Sequence, residues 1–153
     1  MRRIQVPFRH LQMYAKQDNM ATARIEYLGQ LQTKCTHLKS GVEYVTDAPV
    51  DNNGKGSSFS PTDMLATSYV SCMLTIIGIY CERNGLNFEH GVGEVTKIMG
   101  SDPRRVSALE INLDLSGNGW DEKQQRAIQR AAENCPVAKS VDEHIRTKFM
   151  YTF

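Results

Sequence analysis

The 153-residue chain has no CxxC pair, no block of like charge, no low-complexity tract and no secretory leader, and each absence removes a class of function. Basic and acidic residues nearly cancel, 18 against 17, and no basic stripe marks a nucleic-acid face. Four cysteines, at 35, 72, 81 and 135, lack the short paired spacings of a structural zinc site. In a chain without a secretory signal they read as reduced thiols of a cytoplasmic protein, not as a disulfide framework. No motif asks for a metal, nucleotide or flavin. The length gives room for one domain with a real core. Residues 1–19, with Arg2, Arg3, Arg9 and Lys16 against Asp18 alone, are expected to form a weakly ordered basic extension without a catalytic role. Met20 is a second candidate start, and 20–153 is the expected domain.

What the chain does have is one concentrated apolar stretch. From Met64 to Cys81 there are 18 residues without a charge. Ser60, Pro61 and Asp63 form a helix-start signature: a serine cap, a proline whose missing N–H costs nothing at the first position, and a carboxylate three residues after the cap. Gly85 supplies the stop. The spacing therefore predicts one helix between Ser60 and Gly85. A membrane span is rejected, because Thr67, Ser68, Ser71, Thr75 and Gly78 dilute the hydropathy and neither flank carries a basic cluster. Such a helix belongs at the centre of a core or across a subunit interface. Cys72 lies on the face that carries Leu65, Ser68, Tyr69, Ile76 and Ile79.

Elsewhere the pattern is mostly period two. Ala23, Ile25 and Tyr27, then Leu31, Thr33, Cys35 and His37, then Val42 and Tyr44, predict a three-stranded antiparallel meander. Asp47 to Ser58 is turn-rich and leads into the long helix, a plausible entrance for substrate. Val92–Met99 and Val106–Leu115 predict two strands joined by a turn at Gly100-Ser101-Asp102-Pro103, and Asp121–Asn134 an amphipathic helix. Pro136 suggests a short helix running to about Ile145, and Thr147–Phe153 a final strand. On that reading the Cys135 sulfur sits at a helix N-terminus, where free N–H groups favour a thiolate. Cys72, twelve residues into its helix, has no such help. The two thiols are 63 residues apart, and spacing alone does not decide whether they meet. Cys35 and Cys81 read as packing residues, and His90 and His144 as surface residues.

The segment SPTDMLATSYVSCM, in which Cys72 follows Pro61 by eleven residues, resembles the signature of the OsmC/Ohr family of thiol-dependent hydroperoxide reductases, and AAENCPVAKSV resembles that family's second signature, which carries a resolving thiol at Cys135. The order of elements from Ala21 to Phe153 also fits. The resemblance implies an α+β fold of antiparallel sheets wrapped around long central helices in an intertwined homodimer. It implies a cycle in which Cys72 reduces an organic hydroperoxide and becomes a sulfenic acid, Cys135 converts that to a disulfide, and an external dithiol, a lipoyl-protein or another thiol, restores both. Leu65, Tyr69, Met73 and Ile76 are candidate pocket residues, with Tyr69 and Met73 equally readable as plain core. One departure stands out. The Ohr branch has a glutamate after the motif proline and an arginine from the N-terminal strands to hold the thiolate; here Thr62 takes the first place and Arg24 is the only arginine of the meander. Asp63 could serve instead or could simply cap the helix, and Lys34, Lys39, Lys55, Arg104 and Arg105 are candidate cations. A non-catalytic dimer of the same fold, binding a small apolar ligand or sensing oxidants, is the competing reading.

Overall fold

The computed structural model describes residues 21–141 and 143–153, so the expectation for 1–19 lies outside the described residues. In chain order the elements are β1 (Ala23–Gly29), β2 (Gln32–His37), β3 (Glu43–Asp47), α1 (Pro61–Asn84), β4 (Val92–Ser101), β5 (Arg104–Asp114), α2 (Glu122–Glu133) and β6 (Arg146–Thr152), with one short 3-10 turn at Val50–Asn52. They fall into two compact units, one ending at Thr46 and one running from Asp47 to Phe153.

The first unit is the expected meander, in strand order β1-β2-β3. Ile25 pairs with Cys35 and Tyr27 with Thr33, while Gln30 and Leu31 take left-handed backbone in the turn, so that β2 starts one residue later than the alternation suggests. On one face Lys34 lies between Glu26 and Glu43, at 3.4 and 3.5 Å. Hydrogen bonding to Glu26 and the charge of Glu43 hold its ammonium above the usual lysine range.

The second unit is built on α1. Both ends of the helix are fixed by its own sequence. The Ser60 hydroxyl accepts the Asp63 N–H while the Asp63 carboxylate accepts the Ser60 N–H, and Gly85 closes the helix at φ 64°, a conformation that a side chain would strain. By length and composition alone this helix could cross a membrane. Its contacts are those of a core helix: Ala66, Tyr69, Val70, Met73, Ile77 and Cys81 are buried, and it packs on β4, β5 and α2.

The sheet beneath it has strand order β4-β5-β6. β5 alternates as its sequence requires, with Leu109, Ile111 and Leu113 inward and Glu110, Asn112 and Asp114 in solvent. β4 is its antiparallel hairpin partner. β6 departs from the expectation of purely antiparallel sheets, because it pairs in parallel with β5, Ala108 opposite Arg146 through Asp114 opposite Thr152. The cause is the connection: α2 carries the chain back to the end at which β5 began, and a strand entering there must run the same way. Just before α2, Trp120 donates to the Asn87 carbonyl at 2.8 Å and packs against Phe88 and Phe153, closing one end of the core.

α1 comes closest to the sheet at Gly93. A methyl group there would overlap Val70 Cγ1 and lie 3.0 Å from Leu113 Cδ2. Gly93→Ala is therefore expected to cost about 1–3 kcal/mol, the ordinary cost of overpacking a filled core. A lower denaturant midpoint at unchanged m would show it.

Candidate active site: a thiol pair under the central helix

Asp121 caps α2 by accepting the Gln124 N–H, and the helix ends at Asn134. The Cys135 N–H then donates to the Ala132 carbonyl at 3.1 Å, a tight closing turn that swings the side chain inward beneath α1. Cys135 is fully buried, and Cys72 on α1 is half-buried and near enough to add to the upward shift of the Cys135 thiol. Both are free thiols.

The expected helix after Pro136 does not form. Residues 136–140 make turns, because the Ser140 hydroxyl takes the Pro136 carbonyl at 2.8 Å and the Ser140 N–H turns to Val137 instead. The thiolate-favouring terminus expected at Cys135 is thereby reduced to the Ala138 N–H, 3.4 Å from the sulfur, and that of Val137. Burial outweighs both and, with the neighbouring Cys72, pushes the Cys135 thiol up, so it is neutral at pH 7.

Aromatic residues of α1 and β6 pack on one another in the same core. Tyr69 is buried against Phe149, and Phe149, Tyr151 and Phe153 form a row along β6. Burial raises the Tyr69 phenol, with Cys135 and Glu133 adding to the effect and a hydrogen bond to Thr147 opposing it. Of the four candidate pocket residues, Tyr69 and Met73 are core residues, 3 % and 0 % exposed, and Leu65 and Ile76 are half-buried. None of the four lines the cleft of about 850 Å³, which lies between the 56–59 loop, the first turns of α1 and β4.

At the start of α1, Asp63 caps the helix and also binds a cation. One carboxylate oxygen accepts from the Ser60 N–H at 2.8 Å and the Ser60 hydroxyl at 2.7 Å, and the other binds Lys97 Nζ at 2.7 Å. Lys97 also donates to Thr62 Oγ1 at 2.9 Å. Burial alone would raise the Asp63 carboxyl, but the Lys97 and Ser60 hydrogen bonds and the Lys97 charge win and hold it below the usual range. Lys97 was not among the candidate cations. Two of those are engaged elsewhere, Lys34 within the meander and Arg104 on Asp51 at 3.0 Å, while Arg105 donates to the Val106 and His144 carbonyls. The signal for Lys97 was present in β4, where Gly93, Val95 and Met99 face inward and Lys97 occupies the same side. A lysine on the apolar side of a strand implies a carboxylate across from it. Along the helix, nine residues at ~1.5 Å each separate Asp63 from Cys72, so this ion pair does not lie at the thiols. Among the described residues no group of three His, Cys, Asp or Glu side chains is arranged to hold a metal ion.

The profile of the family described as OsmC-like protein matches residues 54–150. No curated protein matches. Of solved structures, a proposed osmotic stress induced and detoxification response protein from Psychrobacter arcticus 273-4 is 45 % identical, with a TM-score of 0.84 over 90 % of this chain and 99 % of that one. The organic hydroperoxide resistance protein OsmC of Legionella pneumophila is 15 % identical, TM-score 0.68, over 89 % of this chain and 100 % of that one. OhrB of Bacillus subtilis, an organic hydroperoxide resistance protein, is 14 % identical, TM-score 0.60, over 86 % and 98 %. This chain belongs to the OsmC-like protein family.

The Asp63 shift makes a signed prediction. A carboxyl held below its unfolded value contributes stability above about pH 4 and loses that contribution as pH falls through the lowered value. Since the Asp63 side chain is 37 % exposed, solvent screens the pair. Lys97→Met is expected to cost roughly 0.5–1 kcal/mol at pH 7 and progressively less as pH falls through the lowered value, measured by urea unfolding across that range.

Proposed function

We propose that this chain reduces organic hydroperoxides through a two-cysteine cycle in the cytoplasm. The observation that carries the reading is the unequal burial of two neighbouring thiols: Cys72 half-open, Cys135 closed off and held neutral. In the first step the Cys72 thiolate attacks one peroxide oxygen; the O–O bond breaks, the alcohol leaves with a proton, and Cys72 becomes a sulfenic acid. Cys135 then attacks the Cys72 sulfur, forming the disulfide and releasing water. An external dithiol, a lipoyl-protein or another thiol, restores both thiols and is itself oxidised to a disulfide. The organic hydroperoxide resistance proteins among the structural relatives support the substrate class. The buried, neutral state of Cys135 argues against the rival assignment in which it attacks the peroxide.

We further propose that the chain works as a homodimer. α1 is apolar on most of its circumference yet leaves Leu65, Cys72 and Ile76 half-covered and Ile79 37 % exposed, a surface suited to a second copy and to a peroxide held between the two. The competing reading, a dimer of this fold that binds a small apolar ligand or senses oxidants, draws on one feature: Lys97 is anchored at the start of α1 by Asp63 and Thr62, away from Cys72.

Peroxide consumption separates the readings. Cys72→Ser should abolish it, whereas Cys135→Ser should consume one equivalent and stall as a sulfenic acid that is trapped at residue 72; trapping at residue 135 in Cys72→Ser instead would reverse the roles. The wild type should turn over bulky alkyl hydroperoxides faster than hydrogen peroxide when supplied with a dithiol, and no consumption with any peroxide would favour the binding or sensing dimer. Thr62→Glu places a carboxylate against Lys97 and should compete with Asp63 for it. A changed rate of Cys72 oxidation in that variant would tie the ion pair to the chemistry. Light scattering that gives the mass of one chain at micromolar concentration would remove the dimer.

A further inference from the structure

An asparagine followed by glycine is open to attack from its own main chain, because glycine has no side chain to keep the next backbone nitrogen away from the asparagine side-chain carbonyl carbon. The chain holds three such pairs, at Asn53-Gly54, Asn84-Gly85 and Asn118-Gly119, and the dipeptide alone does not rank them. The structure ranks them by what must be broken before the ring can close. Asn118 is held on every side: its side-chain oxygen accepts from the Glu89 and His90 N–H groups at 2.9 and 3.2 Å, and its side-chain amide donates to the His90 and Leu115 carbonyls, both at 2.7 Å. Asn84 is the last residue of α1, where its side-chain amide donates to the Tyr80 carbonyl at 2.7 Å and the attacking Gly85 N–H donates to the Glu82 carbonyl at 3.3 Å. Asn53 is exposed, and its side chain makes no hydrogen bond among the described residues. It holds left-handed backbone at φ 62°, which a residue with a side chain leaves readily, and the Gly54 N–H has one partner to give up, the Pro49 carbonyl at 3.0 Å.

We propose that Asn53 is the site at which this protein deamidates, and that the product loosens the 47–58 loop. The Gly54 nitrogen attacks the Asn53 side-chain carbonyl carbon, the bond to the side-chain nitrogen breaks, and that nitrogen leaves as ammonia with the Gly54 proton. A succinimide ring then joins the two residues. Water opens it at either carbonyl, giving aspartate or, where the main chain now runs through the former side chain, isoaspartate. Water is the only co-reactant. Isoaspartate lengthens the main chain and adds a carboxylate in a loop that has no slack. A methyl group on Gly54 would already overlap the Ala48 carbonyl, and the Gly56 N–H donates to that same carbonyl at 3.2 Å. Beyond it the Ser57 N–H and hydroxyl both donate to the Asp47 carboxylate, at 2.9 and 2.6 Å, and Arg104 holds Asp51 at 3.0 Å. Gly56, Ser57, Ser58 and Phe59 wall the large cleft, so the cleft changes shape as the protein ages.

Trypsin puts the three pairs into different peptides, 40–55, 84–97 and 106–123, so one mass spectrum of an aged sample follows all of them. In folded protein kept in mildly alkaline buffer, Asn53 is expected to convert at least roughly tenfold faster than Asn84 or Asn118, the ratio that one further hydrogen bond in the barrier supplies. In concentrated urea, where those bonds are gone, the three rates should converge. Equal rates in the folded protein, or a lead for Asn84 or Asn118, would overturn the site, and a lead for Asn53 that persists in urea would overturn the role given to the fold. The loop is read separately, by brief trypsin treatment of native protein. Cleavage after Lys55 should be several-fold faster in aged than in fresh wild type, and Asn53→Gln, whose longer side chain closes the ring poorly, should show no such gain. Equal cleavage of fresh and aged wild type in a sample that carries isoaspartate at 53 would remove the loosened loop.

Discussion

A long, almost uncharged helix with little polar surface must be covered on more than one side, and the Asp47–Phe153 unit is arranged to do that. β4 and β5 cover α1 from below, close enough that Gly93 is required at the contact with Val70, and α2 covers it from another side. Burying one side chain such as Ile77 or Met73 in this way is worth about 1.5–3 kcal/mol. The cover is incomplete. The strip through Leu65, Cys72, Ile76 and Ile79 remains partly open on the isolated chain, and it is the strip that carries the accessible thiol.

The same packing makes the two cysteines chemically different. A thiol prefers its neutral form wherever water is removed, and Cys135 is turned into the core by the closing turn of α2 with only two N–H groups to offset the loss. Cys72 keeps contact with solvent. Fixing one sulfur on α1 and the other in the turn that closes α2, two helices that already pack together, lowers the entropy cost of bringing them into contact.

The ion pair at the head of α1 belongs to the fold as much as to any chemistry. Asp63 divides its two oxygens between the helix cap and Lys97, which ties the helix start to β4. Thr62, standing where the Ohr branch has a glutamate, accepts from the same ammonium. Asp63 and Thr62 thus share one cation, and it comes from β4.

Much of this was legible in the residues. The Ser60-Pro61-Asp63 cap and Gly85 fixed α1 within a residue at each end, and the alternation around Ile111 fixed the inward face of β5, because caps and period-two patterns are local properties of the chain. The proline after Cys135 misled, since Pro136 permits a helix start without enforcing one and the Ser140 hydroxyl diverted the carbonyl that the helix needed. The parallel pairing of β6 and the choice of Lys97 over the other cations were settled by tertiary structure alone. Each depends on where a crossover returns the chain or on which side chains from distant elements share one buried space, and a linear sequence does not encode those distances locally. By itself the sequence determined the elements, the two thiols and their likeness to a family; only the packing of α1 on α2 decided that the thiols are neighbours, and that one of them is closed to water.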